Sequence, residues 1–324
     1  MKIGITGGAG NISLYITQRL VAQGHNVVLF NRSGTELTGT RTVRVDRKDT
    51  RAFADAVQNE KLDVGIDMII YNAEEAEVSL KAFSGVQQLI HCSTGATYGF
   101  PLPVPVTEET PCRAEQPYGK NKHLADARLL RAFYEDGFPV TIIKPNVTYG
   151  FKFTHSLPGQ LGRSWLRRLV DGKPICVVGD GNHLHHFNHA DDSAKGFVSC
   201  VGNDSAIGQV FNNCSTQAYT WREWHETVMR ILGKTVPLVG IPKDDLLTLS
   251  QSEPFLRENN FWYHMDFSNL KLKRISSGYF EEHTLETGLR DILTDFDPEK
   301  VPEIVPEEDA MLDRLVERHT RLLE

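Results

Sequence analysis

Through the first half of the chain, short apolar runs rich in β-branched residues alternate with amphipathic stretches of helical period. That alternation restricts the fold to a parallel sheet covered on both faces by helices. The runs predict strands near Ile3 to Thr6, Asn26 to Phe30, Thr42 to Val45, Met68 to Tyr71, Gln88 to His91 and Val140 to Ile143, each too short for a helix. Between them, Ile12, Ile16, Leu20 and Val21 form one helical stripe, and Leu124, Ala127, Leu130 and Tyr134 form another.

The first strand runs into Thr6-Gly7-Gly8-Ala9-Gly10-Asn11-Ile12-Ser13. At a strand-to-helix turn, Gly7 and Gly10 let backbone N–H groups approach a pyrophosphate at the helix N-terminus, which is the Rossmann arrangement for a dinucleotide. After the second strand, where an acidic residue would accept the ribose 2′-hydroxyl of NAD, the chain carries Asn31-Arg32-Ser33. Arg32 suits a 2′-phosphate, so the sequence favours NADP(H), with NAD(H) the alternative. Asp46 and Arg47, ending the third strand, are placed to meet the adenine.

The alternation fades from Phe151 onward. The expected architecture is an α/β Rossmann-type doubly wound parallel sheet with a smaller C-terminal substrate lobe. The dinucleotide-binding domain would span residues 1–150 plus about 185–214, with Gln209-Val210-Phe211 as a returning strand. The lobe would take 151–184 and 215–324. Within it, Thr220-Trp221-Arg222-Glu223 reads as a capping box opening a helix that Gly233 stops, and Glu307 to Leu323 as a terminal amphipathic helix.

Composition excludes several classes. A net charge of -7 over 324 residues argues against a general polyanion binder, so no nucleic-acid partner is expected. Five scattered cysteines without a Cys-x-x-Cys suggest neither a disulfide framework nor a zinc site, which fits a reduced, cytoplasmic setting. Met1-Lys2 enters a strand directly, and no apolar run approaches the ~18 residues of a membrane helix, so no signal segment or membrane partner is expected.

Of the nine tyrosines, only Tyr118 has a lysine, Lys122, four residues later, on the same face of a helix. A phenol of pKa ~10 is a poor base at neutral pH. A nearby ammonium would favour the phenolate and let Tyr118 exchange a proton with a hydroxyl while hydride moves at carbon. Upstream, directly after a strand, lies Ser93-Thr94-Gly95-Ala96-Thr97-Tyr98-Gly99.

With the glycine turn, these segments resemble the extended short-chain dehydrogenase/reductase superfamily, and within it the NAD-dependent epimerase/dehydratase family. The resemblance covers roughly Lys2 to Pro242 and continues through Lys144-Pro145-Asn146-Val147-Thr148-Tyr149-Gly150 and Phe187-Asn188-His189-Ala190-Asp191-Asp192. It implies Tyr118 as acid/base, Lys122 as the residue gripping the nicotinamide ribose and lowering the tyrosine pKa, and Thr94 as hydrogen-bonding the reacting oxygen. It implies cofactor contacts at Gly7, Gly10, Asn11, Ile12, Ala73, Ser93, Lys122, Pro145 and Val147, and substrate contacts at Thr94, Tyr98, Asn146 and His185.

The departures matter too. Ser13 replaces the family's third glycine. Only Glu74 to Val86 stands where family members acting on sugar nucleotides carry a longer helix, and this removes part of the usual dimer bundle. His185 stands where an arginine often clamps the nucleotide diphosphate, and Val147 where an asparagine often faces the substrate. His183, His185, His186 and His189 lack ligand spacing with acidic or cysteine partners, so no metal is expected. The implied reaction is hydride transfer at a secondary alcohol or ketone of a sugar, sugar nucleotide or sugar-derived substrate, in a monomer or homodimer. The alternatives are an NADP-dependent carbonyl reductase and a non-catalytic, cofactor-sensing or RNA-binding relative.

Overall fold

In the computed structural model, which describes residues 1–249, 261–276 and 281–320, six strands of the N-terminal half are β1 (Lys2–Thr6), β2 (Asn26–Asn31), β3 (Thr40–Arg44), β4 (Val64–Asp67), β5 (Gln88–Cys92) and β6 (Val140–Pro145). A seventh, Val210–Asn213, pairs with β6, and the sheet order is Val210–Asn213, β6, β5, β4, β1, β2, β3, parallel throughout. This is the Rossmann-type α/β fold. Four helices alternate with the strands: α1 (Asn11–Ala22), α2 (Thr50–Asn59), α3 (Ala73–Ala82) and α4 (Pro117–Asp136).

The two-residue period of the strands explains how both faces are sealed. Ile3, Ile5, Val27, Leu29, Val64, Ile66 and Ile90 point into one core, with Ile16 and Leu20 of α1 and Phe197 of helix Ala190–Cys200. Val28, Phe30, Leu89, Val140 and Ile142 point into the other, with Phe53 and Val57 of α2 and Ala125 and Leu129 of α4. Each fully buried large side chain contributes about 1.5–3 kcal/mol. Two strand glycines keep the second core close: a Cβ on Gly65 would stand 2.4 Å from the Phe83 ring, and one on Gly4 2.3 Å from Leu62.

Three expectations are corrected here. The fourth strand is Val64–Asp67, and Met68 to Tyr71 is the segment beyond it. Gly65 and Asp67 made the true strand look weak, whereas both are buried. The third strand lies at Thr40–Arg44, two residues from the start expected. On α4 the buried face is Lys122, Ala125, Asp126, Leu129 and Ala132, while Leu124 and Tyr134 are 47% and 75% exposed. Counting apolar residues selects the wrong face because the inward one carries a lysine and an aspartate with buried partners.

The chain divides into two units. The first comprises Met1–Thr148, Ala190–Thr216 and Phe267–Glu281, and the second Tyr149–His189, Gln217–Asp266 and Glu282–Glu324. Phe267–Glu281 thus falls with the sheet, where the expected division put it in the lobe. In the second unit, Ile175–Val178 runs parallel to Leu238–Ile241, and Leu184–His185 antiparallel to Tyr219–Thr220. Helix Trp221–Leu232 opens with a Thr220/Glu223 capping box and closes at Gly233 with φ 63°. The last helix is Pro306–Thr320, and the remainder of the expected terminal helix lies outside the described residues.

Candidate active site

In the first unit, sheet order reverses direction about β1, which places a crevice at the carboxyl ends of β1 and β4. Gly7 there has φ 76°, a conformation that suits glycine, and its N–H donates to the Phe30 carbonyl at 3.1 Å. Ser13, in the third-glycine position, does not loosen the turn. Its Oγ accepts from the Gly10 N–H at 2.8 Å and donates to the Gly7 carbonyl at 2.6 Å. Close packing of helix on strand passes instead to Gly8, whose Cβ would lie 2.5 Å from Leu29.

Beside Gly7 opens a cavity of about 320 Å³, lined by Thr6, Asn31, Arg32, Asp46, Arg47 and Lys48 among others. The buried Thr6 Oγ1 and Asn11 Oδ1 have no hydrogen-bond partner among the described residues. Together with the glycine turn, these orphaned polar atoms fit a dinucleotide. Ile12 packs against the core next to Asn11, and Ala73 opens α3, capped by Asn72. Asn31 and Ser33 are engaged in their own loop: the Asn31 carboxamide accepts from Gly34 and Thr35 N–H groups at 2.6 and 3.0 Å, and the Ser33 hydroxyl donates to it at 3.1 Å. Arg47 does not reach for adenine. Its Nη1 pairs with buried Asp67 at 2.5 Å, and its Nη2 donates to Ser79 Oγ at 2.6 Å and the Glu75 carbonyl at 2.7 Å. Asp67, fully buried, requires that cation.

The second part of the site begins where β5 ends. Thr94 caps the short turn Gly95–Tyr98, its Oγ1 accepting from the Ala96 N–H at 3.2 Å. Tyr118, on the first turn of α4, stands near enough to Thr94 for that side chain to favour its phenolate. Gly119 permits this approach, since a Cβ there would lie 2.4 Å from the Ala96 carbonyl oxygen. Sequence reasoning passed over Gly119, although its place beside Tyr118 was a signal. Lys122, one turn along, is 2% exposed; its Nζ donates to the Cys92 carbonyl at 2.7 Å and stands 4.7 Å from the Tyr71 ring centre.

The Tyr118 phenol is pushed up to about 12 by desolvation, with the Cys92 thiol adding to the rise and the Thr94 hydrogen bond opposing it. The Lys122 ammonium, turned to the Cys92 carbonyl, does not by itself offset that burial; the lowering expected from the sequence also counted the positive nicotinamide ring of the oxidised cofactor. Burial also lowers the Lys122 pKa.

Behind these residues lies a buried polar group that the sequence reading missed. Asp126, four residues past Lys122, accepts from Ser93 Oγ at 2.8 Å and lies 3.3 Å from His91 Nε2 and 3.4 Å from Lys144 Nζ. Burial would raise its carboxyl, but His91, Lys144 and Ser93 hold it below the usual range. Ser93 therefore faces Asp126 rather than presenting its hydroxyl to a ligand. Tyr98 is also corrected: it is 1% exposed, its hydroxyl donates to Asn212 at 2.8 Å, and it has no open face for substrate. Pro145 closes β6, Val147 is buried, and the buried Asn146 Nδ2 has no hydrogen-bond partner among the described residues.

In the second unit, His185 is fully buried, with Nε2 2.9 Å from the Tyr263 carbonyl and the ring against Trp221 and Phe261. Burial lowers its pKa to about 3, so it stays neutral and enclosed and cannot clamp a diphosphate. The other histidines of the run are separated as well: His186 meets Asp266 at 3.0 Å, and His183 tilts against His264. Among the described residues, His189, His283 and Asp291 gather ligand-type atoms within 4.8 Å. The two imidazoles are stacked, with ring centres 4.0 Å apart and planes inclined by 27°.

The profile of the NAD dependent epimerase/dehydratase family matches residues 76–214. The chain is 30% identical to a 2′-dehydrokanamycin reductase of Streptomyces kanamyceticus over 288 residues, 87% of this chain and 80% of the relative. It belongs to the NAD dependent epimerase/dehydratase family. The chain is also 27% identical to the chloroplast stem-loop binding protein of 41 kDa b from Arabidopsis thaliana, over 90% of this chain and 78% of that one. The fold matches the crystal structure of a UDP-glucose 4-epimerase from Thermotoga maritima with a TM-score of 0.73 and 19% identity, over 91% of this chain and 98% of the other. As a family member the chain is an NAD(P)-dependent enzyme of the short-chain dehydrogenase/reductase type acting on a small molecule. Among the described residues, no helix is long and apolar enough to cross a membrane.

Proposed function

We propose that this enzyme reduces a ketone on a sugar or sugar-derived substrate with NADPH. The observation that carries the reading is Tyr118 beside Thr94 on the first turn of α4, with Lys122 buried one helical turn away. Gly7, Gly10 and Asn11 would hold the pyrophosphate, Arg32 the 2′-phosphate, and Lys122 the nicotinamide ribose. Bound NADPH supplies a hydride to the carbonyl carbon. Thr94 and Tyr118 grip the carbonyl oxygen, and Tyr118 gives it a proton as negative charge develops there. A phenol raised by burial keeps its proton through neutral pH, so Tyr118 stands in the form that can donate to a developing alkoxide.

Two features turn the reading away from nucleotide sugars. His185 is enclosed and neutral, so it supplies no cation for a diphosphate. The reductase relative is named for a ketone on an aminoglycoside sugar, and an acidic chain of net charge -7 is compatible with such a cationic substrate. The same charge disfavours RNA as the ligand, although one relative is named for stem-loop binding. A panel of keto sugars, keto aminoglycosides and UDP-glucose, followed by NADPH absorbance and by NMR of the sugar, tests the proposal. Consumption of NADPH with a ketone supports it. Interconversion of UDP-glucose with UDP-galactose without net NADPH loss would replace it with an epimerase.

A further inference from the structure

Three cations stand on the rim of the cavity beside Gly7: Arg32 from the loop after β2, and Arg47 and Lys48 from the loop after β3. They are not equivalent. The Arg47 guanidinium is committed to Asp67, Ser79 and the Glu75 carbonyl and lies over the Phe53 ring, so its charge is already balanced inside the fold. Pulling it away would leave Asp67 buried and uncompensated.

Lys48 differs in every respect. Its side chain is exposed, and no ion pair is recorded for it among the described residues. Its backbone is fixed: the Lys48 N–H donates to Asp46 Oδ1 at 2.9 Å, and the next residue, Asp49, caps α2 by accepting from the Ala52 N–H at 3.0 Å. Arg32 is likewise exposed, with its carbonyl accepting from Arg44 Nε at 3.2 Å. Each of the two carboxylates of the rim accepts one backbone N–H on one oxygen, Asp46 from Lys48 at 2.9 Å and Glu75 from Tyr71 at 2.6 Å.

We infer that Lys48, rather than Arg47, joins Arg32 as the specificity-determining pair for the 2′-phosphate of NADPH. The inference rests on the NADPH reading above. A phosphomonoester carries about -1.5 to -2 charge near neutral pH and offers three acceptor oxygens. Two cations on separate loops can engage different oxygens, the planar guanidinium in a fork and the ammonium as a point charge.

The test is equilibrium binding of NADP⁺, NAD⁺ and the fragment 2′,5′-ADP to the full-length protein by calorimetry, for the parent, Lys48→Ala, Lys48→Arg, Arg32→Ala and the double variant. Lys48→Ala should weaken NADP⁺ and 2′,5′-ADP about tenfold and leave NAD⁺ unchanged. Lys48→Arg should retain the preference, and the double variant should bind both dinucleotides alike. A parent that prefers NADP⁺ together with a Lys48→Ala variant of unchanged affinity overturns the role of Lys48 alone. A parent that binds NADP⁺ no tighter than NAD⁺ overturns both this inference and the NADPH reading.

Discussion

The two ends of the candidate site are built by opposite means. At the Thr94 end, backbone close approach sets the geometry: Gly119 lies against Ala96, Thr94 caps its own turn, and buried Lys122 and Asp126 support the floor. At the adenine end, exposed side chains on two loops ring a cavity, and Arg47, one of the two arginines that sequence assigned there, is committed to buried Asp67. Chemistry that must place atoms to within a fraction of an ångström uses the rigid construction. Discrimination between cofactors that differ by one phosphate can use the exposed one.

The sharpest way to break this contrast is Tyr118→Phe. Turnover should fall by a factor of ~10²–10⁴ with cofactor affinity nearly unchanged, as read by steady-state kinetics beside calorimetry. A mutant turning over like the parent would remove Tyr118 from the chemistry. The parent's rate of reduction should hold steady through neutral pH and decline only as pH rises toward the phenol's value of about 12, because the donor is the protonated form. A fall already near neutral pH would point to a different donor.

Next in size is Lys122→Ala, expected to lower turnover and dinucleotide affinity together by ~10–100-fold each, since one ammonium serves both. Unchanged binding and rate would reduce Lys122 to a prop for the Cys92 carbonyl. Gly119→Ala probes the backbone approach itself. The added methyl meets a carbonyl oxygen at 2.4 Å, so α4 must shift, at a cost of about 1–3 kcal/mol in stability and ~10-fold or more in turnover. Denaturant melts and kinetics on one preparation check both, and a fully active, fully stable variant would show that the approach is slack. The smallest effect belongs to the exposed end: Arg32→Ala should cost ~10-fold in NADP⁺ affinity, spare NAD⁺ and leave turnover at saturating cofactor unaltered.

Legibility in the sequence followed the same division. The glycine turn, the Thr220 capping box and the strands β1, β2 and β5 could be read because local chemistry and tertiary role agree there. Val64–Asp67 was hidden because Gly65 admits Phe83 and Asp67 receives Arg47, and both reasons are tertiary. The inward face of α4 was misread because Lys122 and Asp126 are polar yet buried. Asp126 sits one turn beyond Lys122 on the same face, a spacing that could have been noticed. His185 and Tyr98 read as pocket residues by position, and only packing shows that Trp221 and Asn212 occupy them.

The Arg47 anchor has a consequence for how such a pocket changes over time. Because that one guanidinium ties the loop after β3 to β4 and α3, the backbone under Asp46 and Lys48 is ordered during folding, before any dinucleotide arrives. Little conformational entropy then remains to be lost on binding. Side chains on that loop can be exchanged without disturbing the core, so cofactor preference is free to drift by single exposed substitutions while the catalytic frame stays fixed.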